Sequence, residues 1–456
     1  MDLKKIVAQH FLDCPGFDYQ KFLECLDEPA VASIRFNKII DADLTQIEIN
    51  QFINKSIPWC NHGYYLKQKY DYALDPLWHA GVYYVQEASS MFLNYLLEQI
   101  SMQRQCQDIL DLCAAPGGKT QIMATLFPQA NIIANETISN RLGILEENII
   151  KCGKKNILIT SNTSLHFKSL HSTFDLVLID APCSGSGLFR KLPNYLKTWQ
   201  KSFVNQCALR QEKLIDDIIP TLKIGGYLIY ATCSLSLEEN EEIVKKIIKK
   251  HELKTCYFDV PPSWNIYESS DDSKFLGYRL YPYNLEGEGF FISIMQKQNV
   301  SQINNTINFN KPLFEELNNN ERQYISQHKI KDGATNYIVK YKDEIVDLQS
   351  TSFAFFRKYS SFLNIKMAGL NIGRFKGFDF HPHHHWAMLF PTEINFPKIE
   401  ISKIEALNYL RKNPLSIDNL DKSWILVKYQ QWFLGWIKLA GNRINNYYPS
   451  HWRLRK

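Results

Sequence analysis

No two cysteines in this sequence stand in a C-x-x-C pair, although the chain has ten of them. Thiols scattered in this way along a large chain point to reduced side chains in a cytoplasmic compartment, not to a disulfide framework or a metal site. Nor does any apolar run approach the roughly 20 residues that a membrane span needs. The N-terminus, MDLKKIVAQHFLDCPGFD, carries early acids and lacks a long apolar stretch ending in small residues, so it does not read as a secretion signal. There is no internal repeat, and the formal charge of +5 is small, which permits a nucleic-acid partner without demanding one.

What is present is an ordinary globular composition, 45% hydrophobic and 22% charged. A chain of 456 residues is too long for one hydrophobic core, so two or three domains are expected. Residues 1–90 mix short helical patterns with strand-like runs such as VASIRF (31–36). From about 91 to 297 strands and helices alternate. ILDLC (109–113), NIIANE (131–136), NILIT (156–160), FDLVLID (174–180) and GYLIYATC (226–233) are short aliphatic runs separated by charged helical stretches. This predicts an α/β fold, a Rossmann-like, doubly wound and mostly parallel sheet, with GFFISIM (289–295) as a closing antiparallel strand. The Asn-rich stretch that follows reads as a linker over 298–311, and residues 312–456 as a separate α+β domain.

Three segments carry chemistry. DLCAAPGGKT (111–120) lies between a buried-type strand and a helix. Its Pro116, Gly117 and Gly118 let backbone N–H groups approach a ligand at the positive end of that helix. The loop fits neither the dinucleotide pattern nor the P-loop spacing, so a nucleoside ligand such as S-adenosylmethionine suits it better. Glu136, at the end of the second strand, stands where such folds bind the hydroxyls of a ribose. DAPCSGSG (180–187) and ATCS (231–234) follow two further strands. Ligands of open parallel sheets bind beyond the carboxyl ends of the strands, so Asp180, Cys183 and Cys233 should meet the glycine turn in one crevice. Cys14, Cys25, Cys106, Cys152, Cys207 and Cys256 read instead as small buried hydrophobes.

Paired thiols suit a pyrimidine methylase. Carbon-5 of cytosine is too weak a nucleophile to take a methyl group until a thiolate adds to carbon-6. An acid at ring nitrogen 3 stabilises the charge that develops, and Asp180 is the nearest candidate. A base must then remove the carbon-5 proton. Spacing alone does not say which cysteine attacks.

YYVQEASSM (83–91), DLCAAPGGKT, NETISNR (135–141), DAPCSGSG, FRK (189–191) and ATCSLSLEENE (231–241), in that order, resemble the Sun/Fmu-type family of RNA 5-methylcytosine methyltransferases and its RsmF-type branch acting on 16S ribosomal RNA. The resemblance implies a Rossmann-like catalytic domain with S-adenosylmethionine held by the backbone of Cys113, Ala114, Ala115, Pro116, Gly117, Gly118 and Lys119, and by Glu136 and Asp180. It implies Cys233 as the nucleophile and Cys183 as an aid to product release. It also implies methylation of one cytidine by a cytoplasmic, monomeric enzyme that needs no metal, acting on RNA that is either free or within the small ribosomal subunit. The sequence departs from the family pattern at Ser186, at Leu192, at YPY (281–283), and at Asn162, which replaces an adenine-binding acid. Alternatives are the same chemistry on transfer RNA or 23S RNA, or a non-catalytic RNA-binding assembly factor.

The C-terminal residues resemble the PUA-like RNA-binding extension of this branch. Lys438, Arg443, Arg453, Arg455 and Lys456 alternate there with Trp436, Tyr447, Tyr448 and Trp452, a pattern of phosphate-binding and base-stacking groups whose alternative is a solvated basic tail. Arg374 and Lys376 precede a histidine run, His381 with His383 to His385. That run has no acid or cysteine at ligand spacing and reads as an exposed loop. Arg35 and PWC (58–60) resemble the family's N-terminal RNA-binding region. QEASS (86–90) introduces the catalytic domain, as part of its function or as a helix cap.

Overall fold

The computed structural model describes residues 3–37, 47–298, 313–328, 336–389, 394–415, 423–441 and 443–455. The expected linker falls outside these residues except for Gln298, as does Lys456. Among the described residues no helix is long and apolar enough to cross a membrane.

The N-terminal part forms a four-stranded antiparallel sheet in the order Ile53–Ile57, Cys60–Leu66, Ser33–Phe36, Tyr83–Val85. Its buried side chains, Ile34, Phe36 and Tyr65 among them, belong to the same apolar cluster as helix Phe92–Gln103, which opens the next part of the chain. This sheet is therefore anchored on the larger one.

Ten strands build the central sheet. Five run parallel in the order Leu222–Thr232, Phe174–Asp180, Asp108–Asp111, Asn131–Asn135, Ile157–Thr160. Phe290–Lys297 closes one side antiparallel, as the sequence led us to expect, with Lys274–Leu280 and Tyr267–Asp271 beyond it. Chain order reverses between Asp108–Asp111 and Phe174–Asp180, so a crevice opens there beyond the carboxyl ends of the strands.

Alternation along each strand sorts the aliphatic side chains onto two faces. Ile109, Ile132, Leu176, Leu178 and Ile229 pack with helices Phe92–Gln103, Gly118–Leu126 and Ser139–Cys152. Leu110, Ile133, Val177, Ile179 and Leu228 pack with helices Lys201–Ile218 and Glu241–His251 on the other face. Each fully buried side chain of this size contributes roughly 1.5–3 kcal/mol. Burial on both faces explains why the strands are aliphatic throughout instead of alternating with polar residues.

The C-terminal third is built into this sheet. The crossover between Ile157–Thr160 and Phe174–Asp180 carries only a single helical turn, Ser164–Phe167, too short to cover the second face. Helix Ser350–Tyr359 supplies the missing cover, with Phe355, Phe356 and Tyr359 packed in the cluster of Ile133, Leu158 and Phe174. Strand Ile365–Ala368 then pairs antiparallel with Ile157–Thr160 and extends the sheet by one. Two further four-stranded sheets follow. One joins Asn336–Tyr341, Glu344–Gln349, Leu370–Lys376 and Asp379–Pro382; the other joins Lys398–Glu400, Trp424–Tyr429, Trp432–Ala440 and Arg443–Asn446.

Candidate active site

The turn after strand Asp108–Asp111 is held from outside, which leaves its inner side open. Arg141 Nη2 donates to the Ala115 carbonyl at 2.6 Å and Asn148 Nδ2 to the Pro116 carbonyl at 2.8 Å, both from helix Ser139–Cys152. Gly117 has φ +110, a conformation only glycine adopts freely, and caps helix Gly118–Leu126. The N–H of Ala114 donates to Asn135 O at 2.8 Å, so that one donor of the loop is already committed. Thr120 Oγ1 donates to Asp111 Oδ2 at 2.6 Å; even so, burial pushes the Asp111 carboxyl up to about 7.

Glu136 follows strand Asn131–Asn135 and is only 4% exposed. Its Oε1 accepts from the N–H groups of Thr137 (2.8 Å) and Ile138 (3.0 Å), which fixes the carboxylate. Its Oε2 is buried without a hydrogen bond, the Arg141 guanidinium standing 3.5 Å away. A buried carboxylate oxygen left without a donor is costly unless a ligand supplies one, and the two hydroxyls of a ribose are suitable donors. Asn162 is placed differently. Its Oδ1 accepts from Asn364 N at 3.0 Å, so this amide ties the sheet to its C-terminal extension.

Cys183 and Cys233 leave neighbouring strand ends, since Asp180 is paired in register with Ala231. Their sulfurs are 3.1 Å apart, and neither side chain is fully buried. The two loops are laced together. Gly187 N donates to Cys233 O at 2.8 Å, and a Cβ at Gly187 would stand 2.8 Å from that oxygen, so only glycine fits. The Ser186 hydroxyl accepts from Leu235 N at 2.7 Å, which absorbs this chain's departure from the family motif at Ser186. The hydrogen bond with Cys233, then burial, pushes the Cys183 thiol well above its ordinary value. Lys119 Nζ donates to Asp180 Oδ2 at 2.8 Å and lies over the Phe290 ring. Burial works against the Lys119 charge, but Asp180 outweighs it and holds the ammonium above the ordinary lysine range. The sequence reading used only the backbone of Lys119; its side chain, which reaches Asp180 from the first turn of the helix, was missed.

The other residues singled out in the sequence lie partly in the core and partly at the surface. Arg35 is 3% exposed and bonds Gln86 Oε1 (3.0 Å) and Gln121 Oε1 (3.2 Å), so it ties the N-terminal sheet to helix Gly118–Leu126 instead of facing solvent. Trp59 and Cys60 of PWC are buried as well. Within QEASS, Glu87 accepts from the N–H groups of Ser89 and Ser90, which makes it a cap. Trp436, Tyr448 and Trp452 are core residues, leaving Tyr447 as the exposed ring of that set. Arg443, Arg453, Arg455 and Lys376 are exposed; Lys438 lies 3.7 Å from Asp379 and Arg374 3.3 Å from Glu344. The histidine run is no exposed loop. His384 and His385 are buried, the former against Tyr448 and Trp452. Burial holds His385 down to about 3 and His383 to about 4, so these rings are neutral, and their Nδ1 atoms accept from the N–H groups of Asn371 and His385 respectively. Of the cysteines read as buried hydrophobes, Cys256 alone is partly exposed. Among the described residues no group of three or more His, Cys, Asp or Glu is arranged to hold a metal ion.

Comparison with known proteins agrees with this layout. Three family models match in chain order: the N-terminal domain of 16S rRNA methyltransferase RsmF over residues 7–88, 16S rRNA methyltransferase RsmB/F over 99–296, and the methyltransferase RsmF PUA domain over 396–454. The ribosomal RNA small subunit methyltransferase F of Erwinia tasmaniensis is 29% identical over 455 residues, spanning 95% of this chain and 92% of that protein. Its counterpart in Vibrio vulnificus is 33% identical over 293 residues, 60% of each chain. Among solved structures, a methyltransferase homolog protein from Pyrococcus horikoshii superposes with a TM-score of 0.54 at 27% identity, covering 64% of this chain and 94% of that one. NSun6 from Pyrococcus horikoshii with SFG shares the fold at 22% identity and a TM-score of 0.53, covering 64% of this chain and 98% of that one. With its N-terminal, catalytic and PUA segments matched in sequence, the chain belongs to the RsmB/F family of 16S rRNA methyltransferases.

Proposed function

We propose that the protein methylates carbon-5 of a cytidine in 16S ribosomal RNA, in the cytoplasm and as a monomer, through a transient bond between Cys233 and the base. The observation that carries this reading is the pair of thiols 3.1 Å apart at adjacent strand ends, in the crevice that also holds Asp180, Lys119 and the glycine turn. A single catalytic thiol serves many reactions. Two in contact suit one that must both make and break a bond to the same ring.

The residues present fit S-adenosylmethionine. Glu136 Oε2 would take the ribose hydroxyls, and backbone N–H groups of the first turn of helix Gly118–Leu126 would hold further polar atoms of the cofactor. When bound, this cofactor supplies an electrophilic methyl group. Cys233 adds to carbon-6, which breaks the ring's conjugation and makes carbon-5 nucleophilic. The proton shared by Lys119 and Asp180 is presented to ring nitrogen 3 as charge develops there. In the closing step the C5–H bond breaks, its electrons form the C5–C6 double bond, and the C6–S bond breaks onto Cys233. Cys183 passes its thiol proton to that sulfur and takes up the proton leaving carbon-5. The target base must leave its stack to reach this crevice.

Bisulfite sequencing of total RNA from cells with and without the gene tests the reading. A cytidine of 16S RNA should resist conversion only when the gene is present. Protection confined to transfer RNA or 23S RNA would refute the substrate, and protection nowhere would refute the chemistry. Cofactor placement is checked separately by calorimetry without RNA. Loss of a charged hydrogen bond of about 1.5–3 kcal/mol in Glu136→Ala should weaken S-adenosylmethionine binding by about 10- to 100-fold. Unchanged affinity would remove Glu136 from the cofactor site.

A further inference from the structure

Glu239 takes no part in the steps above, yet it is the acceptor on which both cysteine loops converge. It ends the short turn Leu237–Glu239 and is 0% exposed. Its Oε1 accepts from Ser184 N at 2.8 Å and from Gln211 Nε2 at 3.1 Å. Its Oε2 accepts from the hydroxyls of Ser184 and Ser234, the latter at 2.6 Å. Ser184 directly follows Cys183, and Ser234 directly follows Cys233. The two serine hydroxyls are themselves 3.2 Å apart. Gln211 also donates to Pro182 O at 3.0 Å, and the Tyr230 hydroxyl donates to Glu239 O at 2.6 Å from the strand that leads to Cys233. The carboxylate thus fixes the residue after each thiol, Gln211 links it to the residue before one of them, and the Glu239 backbone carbonyl ties down the strand before the other.

We propose that Glu239 is the positioning residue that keeps the sulfurs of Cys183 and Cys233 within proton-sharing distance through the release of the methylated base. The inference rests on the function proposed above and adds a residue to its closing step.

Two physical arguments support it. A buried carboxylate is an expensive way to join two loops, because a neutral group with matched partners avoids the desolvation penalty. Its retention with four donors calls for a use of the charge itself. That use is at hand: the negative charge of Glu239 adds to the other causes that hold Cys183 in the thiol form. The closing step needs that thiol proton at Cys183, for return to the sulfur 3.1 Å away. Burial pushes the Glu239 carboxyl up, and the bonds from Ser184 and Ser234 work against that shift.

The test uses the full chain, S-adenosylmethionine and 16S RNA isolated from cells lacking the gene. Glu239→Gln keeps the shape and loses the charge. Its kcat should fall about tenfold or more, with KM for both substrates within about twofold, because a small misplacement of the sulfurs slows proton transfer without touching binding. The fraction of enzyme held as protein–RNA adduct should rise. In a Cys183→Ala background, E239Q should not lengthen the adduct lifetime further, since it acts through the missing thiol. A kcat within about twofold of wild type with an unaltered adduct level, or a lifetime lengthened again in the double variant, overturns the proposal. Should E239Q fail to fold, Ser184→Ala and Ser234→Ala each remove one donor. Slower release in either supports the role, and unchanged release in both overturns it. If wild type yields neither 5-methylcytosine nor adduct, it is the proposed function that fails; adduct in wild type with no change in these variants sinks only the positioning role.

Discussion

Cys183→Ala, incubated with S-adenosylmethionine and its RNA, should accumulate as a protein–RNA conjugate that survives denaturing electrophoresis. The bond from Cys233 to carbon-6 still forms, because nothing in that step uses the second sulfur. What is lost is the group 3.1 Å away that returns a proton to Cys233 and accepts the one on carbon-5. Removing a placed proton-transfer group costs roughly 10²–10⁴ in rate, enough to turn a fleeting adduct into the main species. The band should vanish in the Cys183→Ala, Cys233→Ala double variant and be absent from Cys233→Ala alone. A conjugate in Cys233→Ala and none in Cys183→Ala would exchange the roles of the two residues.

Cys233→Ala should lose methyl transfer by about 10⁴-fold or more while still binding RNA and cofactor. Carbon-5 of an intact cytosine has too little electron density to attack a methyl donor, so orientation and electrostatics have nothing to amplify. Cys233→Ser should fare little better, since a hydroxyl beside Lys119 stays protonated where a thiol can ionise. Transfer of tritium from methyl-labelled cofactor to RNA measures both. Retention of more than about 1% of the wild-type rate would show that the base is methylated without attack by this residue.

Much of the site could be read in the sequence because its parts end strands of one recurring type. ILDLC, FDLVLID and GYLIYATC are buried on both faces, and the residues that follow them have to gather at one end of a parallel sheet. Glu136 was legible for the same reason. What escaped depends on long-range contacts that carry no local mark. Glu239 and Ser184 are 55 positions apart, and Lys119 and Asp180 are 61 apart. The partners of Arg35 were equally illegible: it lies under helix Gly118–Leu126 with two glutamines as partners, 51 and 86 positions away. The aromatic–basic pattern near the C-terminus mixes two populations. Strand Trp432–Ala440 is buried on both faces from Trp432 to Ile437, Trp436 included, and the sequence pattern alone does not separate rings of a core from rings of a binding face. The histidine run was misread as an exposed loop because polar side chains in a row ordinarily face water, whereas His384 and His385 are buried among aromatic rings and backbone.

Strand Ile365–Ala368 has a consequence for the way this protein can be divided. A fragment ending at residue 297 contains every reactive group of the crevice, yet it leaves the backbone of Ile157–Thr160 unsatisfied along a free border. It also bares the aliphatic surface around Ile133 and Leu158 that Phe355 and Phe356 now cover. Such a fragment offers other copies of itself a template for strand addition and a sticky face beside it. The catalytic segment is thus no interchangeable cassette: gene shuffling that swapped the tail for another RNA reader would have to carry residues 350–368 along with the enzyme.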